Sequence, residues 1–234
     1  MLVAAAVCPS PPLLVPEVAT GAAPELDAAR AACADAVGLL AASRPDRLYV
    51  VGPAEEGGAY PAGSAGSFAG FGVDLSVRLG EGPRPAGRPL PTSLAVAAWL
   101  LARAAWADAP IEGRAVAATA TPDVCAGIGR ELAGSAERVA LLVMGDGSAC
   151  RTVKAPGYLD ERAAGFDAEA ARALGTADTT ALLALDAGLA VELKAAGRAP
   201  WQVLAGAAEG AGLDGRLLFE DAPYGVGYFV AAWS

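Results

Sequence analysis

The chain has 234 residues, 54% of them hydrophobic and only 18% charged, and carries a net charge of −9. So apolar a composition excludes a disordered chain, and the acidic balance excludes a general nucleic-acid binder. A complete lack of histidine excludes a Ser-His-Asp triad, a Cys-His dyad and a two-His-one-carboxylate iron site.

In chain order, residues 2–8 read as a buried strand that stops at Cys8. Proline fixes φ and has no N–H to donate, so "CPSPP" at 8–12 ends the strand in a rigid loop that holds Ser10. Residues 23–43 predict a helix, with Pro24 in its first turn and Leu26, Ala29, Cys33, Val37 and Leu40 at helical spacing. "RLYVVG" at 47–52 is a second strand, followed by the loop "PAEEGGAYPAGSAG". Val73, Leu75, Val77 and Leu79 alternate, predicting a strand over 71–79. A proline-rich connector over 80–92 leads to a helix at 93–107.

"RAVAATA" at 114–120 is another strand, and Thr121-Pro122 supplies an N-cap and a first-turn proline for the next helix. "RVALLVMG" at 138–145 is the most continuous apolar strand and enters the loop "DGSACRTVKAPGYLD". Helical patterns follow at 159–174, 178–196 and 200–210. Two strands around "APYG", "GRLLFED" and "VGYFVAAW", close the chain.

Strands alternating with helices predict an α/β fold: three layers, with a central, largely parallel or mixed sheet flanked by helices. No composition shift marks a boundary, so residues 1–234 are expected to form a single domain. The four cysteines, Cys8, Cys33, Cys125 and Cys150, form no CxxC pair and are expected to be free and buried. "MLVAAAVC" is apolar like a secretory leader but has no basic residues before it, and Val7 is bulky where a lipobox needs a small residue. A cytoplasmic protein with no membrane partner is the expectation.

Ligands of parallel sheets bind at the carboxyl ends of strands, which directs attention to the loops at 8–10, 52–56 and 145–150. The segments "PSPPLLVPE", "VVGP" and "VMGDGS", supported by "APYGVGY", resemble the class III extradiol ring-cleavage dioxygenases of the LigB-like superfamily, which includes the Memo-like proteins. The likeness is nearest to a small actinobacterial branch of unknown function. It implies the LigB-like form of the three-layer fold. It also implies that Ser10 stands where the family has an iron-ligating histidine. Glu55, or its neighbour Ala54 or Glu56, stands in the second histidine slot, and Ala149 in that of the catalytic histidine in a Gly-Asp-x-Ser-His pattern. Glu220 would correspond to the glutamate ligand. A neutral hydroxyl is a poor ligand for Fe(II), so no iron is expected.

The leading expectation is a non-catalytic relative that binds a small molecule or a protein partner. Its pocket would draw on Cys8, Ser10, Glu55, Glu56, Gly145, Asp146, Gly147, Ser148, Arg151, Lys154 and Glu220. Gly145 and Gly147 would turn backbone N–H groups toward an anion, with Arg151 and Lys154 supplying charge. The alternative is an enzyme of histidine-free chemistry. In one form Glu55, Glu56, Asp146 and Glu220 gather around a divalent cation. In another, Cys150 or Cys8 is activated by Lys154 or Arg151. Asp146, Ser148 and Cys150 are its catalytic candidates, although Ser148 is expected to bond the turn backbone. Tyr158 and Trp201 are read as core aromatics rather than pocket walls. A third reading is a structural subunit, paired with a second copy or with another protein.

Overall fold

The structure is a computed structural model that describes residues 1–83, 85 and 87–234. The connector expected over 80–92 therefore contains two residues, Arg84 and Ala86, that lie outside the described ones. The first half of the chain runs β1 (Leu2–Cys8), α1 (Pro16–Ala19), α2 (Asp27–Ala42), β2 (Arg47–Ala54), β3 (Gly58–Tyr60), β4 (Ala65–Ser67) and β5 (Ser76–Arg78). It continues through α3 (Thr92–Arg103), β6 (Ile111–Ala117), α4 (Pro122–Ala133) and β7 (Val139–Met144). The last third holds α5 (Arg162–Gly175), α6 (Thr179–Ala184), α7 (Ala187–Glu192), α8 (Arg198–Ala207), β8 (Gly215–Asp221) and β9 (Tyr228–Trp233).

Seven strands form one sheet in the order β3-β6-β2-β7-β1-β9-β8. The central four, β6, β2, β7 and β1, are mutually parallel, whereas β3, β9 and β8 each run antiparallel to their inner neighbour. This is the expected three-layer α/β fold with a mixed sheet. Strand β7 is buried on both faces, which is why it reads as an unbroken apolar run. Leu141 and Val143 point to one core with α4, α5 and α8, while Ala140, Leu142 and Met144 point to the other with α2 and α3. Crossovers from β1 to β2 and from β2 to β6 pack α2 and α3 on one face; the return crossovers place α4 and α5–α8 on the other. A single hand of crossover demands this arrangement.

Local signals set several boundaries. Thr121 caps α4 by accepting the Val124 N–H at 3.4 Å, with Pro122 at the first helical position. The predicted helix over 178–196 divides at Asp186, whose carboxylate takes the Leu189 N–H at 2.6 Å and caps α7. The predicted helix over 23–43 begins only at Asp27, because Pro24 sits in a 3-10 stretch over Thr20–Leu26. The strand expected over 71–79 shrinks to β5. A 3-10 turn at Ala69–Phe71 and a tight Leu75 N–H to Val73 O bond of 2.8 Å curl the backbone out of extended pairing. All four cysteines are free and buried. Among the described residues no helix is long and apolar enough to cross a membrane.

Helices α4 and α8 cross where Gly129 faces the Val203 carbonyl and Gly206 faces Ala126; a Cβ at either would overlap backbone. Gly129→Ala gains about 1 kcal/mol of helix propensity but must force two helix backbones apart, an overpacking cost of about 1–3 kcal/mol. The expected outcome is a lower urea midpoint for Gly129→Ala, whereas Gly165→Ala, on open space in α5, is neutral or stabilising.

Candidate functional site

The carboxyl ends of β1, β2, β6 and β7 lie at one end of the sheet, and register decides what meets there. Cys8 pairs with Met144, so the loops that follow them emerge side by side. The Gly145 N–H donates to the Cys8 carbonyl at 3.0 Å, and the Ser10 N–H donates to Asp146 Oδ1 at 2.7 Å. Strand β2 runs on to Ala54, level with Ala117 of β6, and carries Glu55 and Glu56 beyond the end of β7.

A pocket of about 480 Å3 opens here, lined by Ser10, Ala54, Glu55, Glu56, Tyr60, Arg88 and the start of α3 at Thr92 and Ser93. The Ser93 hydroxyl donates to the Pro53 carbonyl at 2.7 Å and ties α3 to β2. Arg88 reaches in from the proline-rich connector. Its guanidinium meets Glu56 at 3.1 Å, donates to the Gly57 carbonyl at 2.8 Å and lies 5.0 Å from the Tyr60 ring centroid. Such an exposed pair contributes little to stability, but it fixes where the charges sit. Glu55 is exposed and forms no ion pair with a described residue. The pocket mouth thus presents a carboxylate, an arginine-carboxylate pair and hydroxyls.

Asp146 is partly buried beside this pocket. Burial lifts its carboxyl to about 6, partly offset by the Ser10 N–H. The Tyr228 hydroxyl, at the start of β9, is pushed up by its burial and then by the charge of Asp146. Neighbouring Tyr224 has a buried hydroxyl without a hydrogen-bond partner of ordinary geometry among the described residues.

The rest of the 145–151 loop faces inward. Asp167 of α5, fully buried, accepts the Ser148 N–H at 2.7 Å and the Ser148 hydroxyl at 2.8 Å, and pairs with Arg151 at 3.0 Å. Gly147 donates to the Gly227 carbonyl at 2.7 Å, and Gly227 donates back to Ser148 at 2.9 Å. Both must be glycine, since a Cβ on Gly147 would sit 2.8 Å and one on Gly227 2.5 Å from the Asp167 carboxylate.

Several expectations are corrected by these contacts. The N–H groups of Gly145 and Gly147 are consumed by carbonyls and form no anion cradle. The Ser148 hydroxyl bonds the buried Asp167 carboxylate and not the backbone of its own turn. Arg151 serves Asp167, and Lys154 is exposed, so neither activates a thiol. Cys150 donates to the Leu193 carbonyl at 3.5 Å, and burial raises its pKa. Cys8 is buried on the α2 side of β1. Glu220 stands on edge strand β8, two strands from β1 and beside Leu217 and Arg172. The acidic residues do not gather: among the described residues no group of three or more Cys, Asp or Glu is placed to hold a metal ion. Trp201 is a core residue at 0% exposure, but Tyr158 is exposed at 66%.

Arg88, Tyr60 and Asp167 were not legible as site residues. Arg88 hides in a segment that reads as linker, Tyr60 in a loop, and Asp167 among the polar positions of an ordinary amphipathic helix.

No protein-family model matches the sequence, and no curated protein matches it. Among solved structures, the crystal structure of the uncharacterized protein JW3007 from Escherichia coli K12 is similar over 99% of each chain, with a TM-score of 0.64 and 15% identity. This likeness establishes the fold alone.

Asp167→Ala strands Arg151 and two donors of Ser148, so urea unfolding is expected to show a loss of about 3–5 kcal/mol; a loss below about 1 kcal/mol would contradict the buttress. Asp146 has a folded pKa above its unfolded value. Its contribution to stability is therefore full below about 4 and is lost as pH rises through about 6, an effect of about 3 kcal/mol. Asp146→Asn is expected to match wild type at acidic pH and to exceed it above neutrality.

Proposed function

We propose that this chain is a non-catalytic relative of the class III extradiol ring-cleavage dioxygenases that binds a polar small molecule in the pocket between β1, β2 and α3. The observation that carries the reading is that Ser10, which the resemblance puts in one histidine slot, and Glu55, which it puts in the second with Ala54 or Glu56 as alternatives, line one pocket at the carboxyl ends of the strands. Positions brought together from residues 10 and 55 are what a retained site requires. The three-layer α/β fold, shared with the Escherichia coli protein over 99% of both chains, is of the class that the reading requires.

The residues present do not fit iron. Ser10 offers a neutral hydroxyl, Ala149 is apolar, and Glu220 lies on β8. What remains is recognition: Glu55 for a donor or cationic group, Arg88 held against Glu56 for an acceptor, and the hydroxyls of Ser10 and Thr92 for polar substituents. A pocket of about 480 Å3 lies within the ~300–1,000 Å3 range of small-molecule sites.

The test is to denature purified protein and identify the released small molecules by mass spectrometry, in wild type and in Thr92→Trp. Thr92 is exposed at the pocket rim, so the bulky side chain obstructs the opening without disturbing the core. A compound retained by wild type and lost from the folded variant is the expected result. Equal retention by both, or no compound in either and no thermal stabilisation by any member of a polar metabolite panel, would refute the reading.

A further inference from the structure

A second pocket, of about 210 Å3, lies between α7, the first turn of α8 and the turn after β6. Ala118, Ala190, Val191, Ala195 and Ala199 make its walls, and among the described residues Lys194, whose ammonium also donates to the Pro156 carbonyl at 3.3 Å, and Arg198 are its charged residues. Arg198 is 1% exposed. Its Nη1 donates to the Ala120 carbonyl at 2.6 Å and to Gln202 Oε1 at 2.9 Å, and its Nη2 donates to the Ala118 carbonyl. These acceptors are neutral, and among the described residues no carboxylate pairs with Arg198. The acids of the adjoining helix are engaged elsewhere: Glu192 with Arg162 at 2.7 Å and Asp186 with the Leu189 N–H at 2.6 Å. The Arg198 Nε–H has no acceptor among the described residues. Burial accordingly works against the charged guanidinium.

A buried cation without a counter-charge is costly, and the ordinary resolution is a paired anion. In a protein of net charge −9, the absence of an internal carboxylate at this place leaves that role to a ligand. The pocket's walls restrict the ligand further. Alanine and valine side chains make up the rest of the wall and favour an alkyl chain over a wholly polar anion such as phosphate. The volume, below the ~300 Å3 where drug-sized sites begin, limits the chain to a few carbons.

We propose that this pocket binds a short-chain aliphatic carboxylate, its anionic head against Arg198 Nε–H and the Lys194 ammonium and its alkyl chain against Ala190, Ala195 and Ala199. The site is separate from the Ser10–Glu55 pocket and shares no lining residue with it.

Calorimetric titration of the full chain with sodium butyrate tests it, with 1-butanol and butylamine as isosteric controls. The expected result is saturable one-to-one binding of butyrate and no heat from either control. Lys194 is exposed, so Lys194→Ala retains the fold and is expected to weaken butyrate about three- to fivefold, the usual worth of one exposed charge contact. Ala190→Leu puts three further carbons into the void and is expected to abolish binding, with circular dichroism confirming that the variant is folded. Absence of saturable butyrate binding, an equal response to 1-butanol, or unchanged affinity in Lys194→Ala would overturn the proposal.

Discussion

The carboxylate of Asp167 is the contact on which the functional end of the molecule depends. It is wholly buried, takes two bonds from Ser148 and one ion pair from Arg151, and lies against the backbones of Gly147 and Gly227. Through it α5, the loop after β7 and the start of β9 become one rigid unit. A buried carboxylate left with one missing donor would be expensive, so the loop has a single arrangement. That arrangement turns the Ser148 hydroxyl and the Arg151 guanidinium inward and leaves Asp146 as the residue that faces β1.

This inward turn explains how the strand ends divide their roles. At the β1 side, Asp146 receives the Ser10 N–H and holds the proline-bounded loop in place. At the β2 side, two extra residues of strand beyond the end of β7 bring Ala54, Glu55 and Glu56 to the pocket wall, where Arg88 and Tyr60 close it. Polar groups that do not buttress the fold are thus concentrated on the β2 side. The carboxylates remain spread along the sheet end, Glu55 and Glu56 at one pocket, Asp146 beside β1 and Glu220 at the far edge, instead of converging on a point.

The layer architecture was legible because its signals are local and repeated. The apolar runs of β1, β2 and β7 are short and bounded by proline, glycine or charged residues, which favours strands, and Thr121-Pro122 marked the start of α4 to the residue. The strand expected at 71–79 failed for the complementary reason: Val73, Leu75, Val77 and Leu79 alternate, but a 3-10 turn and a tight turn override the pattern. At the candidate site, residues adjacent to strand ends were found, since chain order places them there. Partners that arrive from elsewhere were not. Asp167 lies nineteen residues beyond Ser148 on a helix, and Arg88 lies thirty-two beyond Glu56 in a segment of connector composition. Their roles arise from tertiary packing and carry no mark in a single sequence.

Anaerobic calorimetric titration of the protein with Fe(II) decides whether the proposed pocket at the carboxyl end of the sheet binds without a metal. With Ser10 and Ala149 at the positions where the proposed resemblance expects histidines, and Glu220 on β8, the prediction is no saturable stoichiometric binding. One-to-one binding of Fe(II) that is lost in Ser10→Ala and Glu55→Gln would contradict the account and place a metal centre back in the pocket.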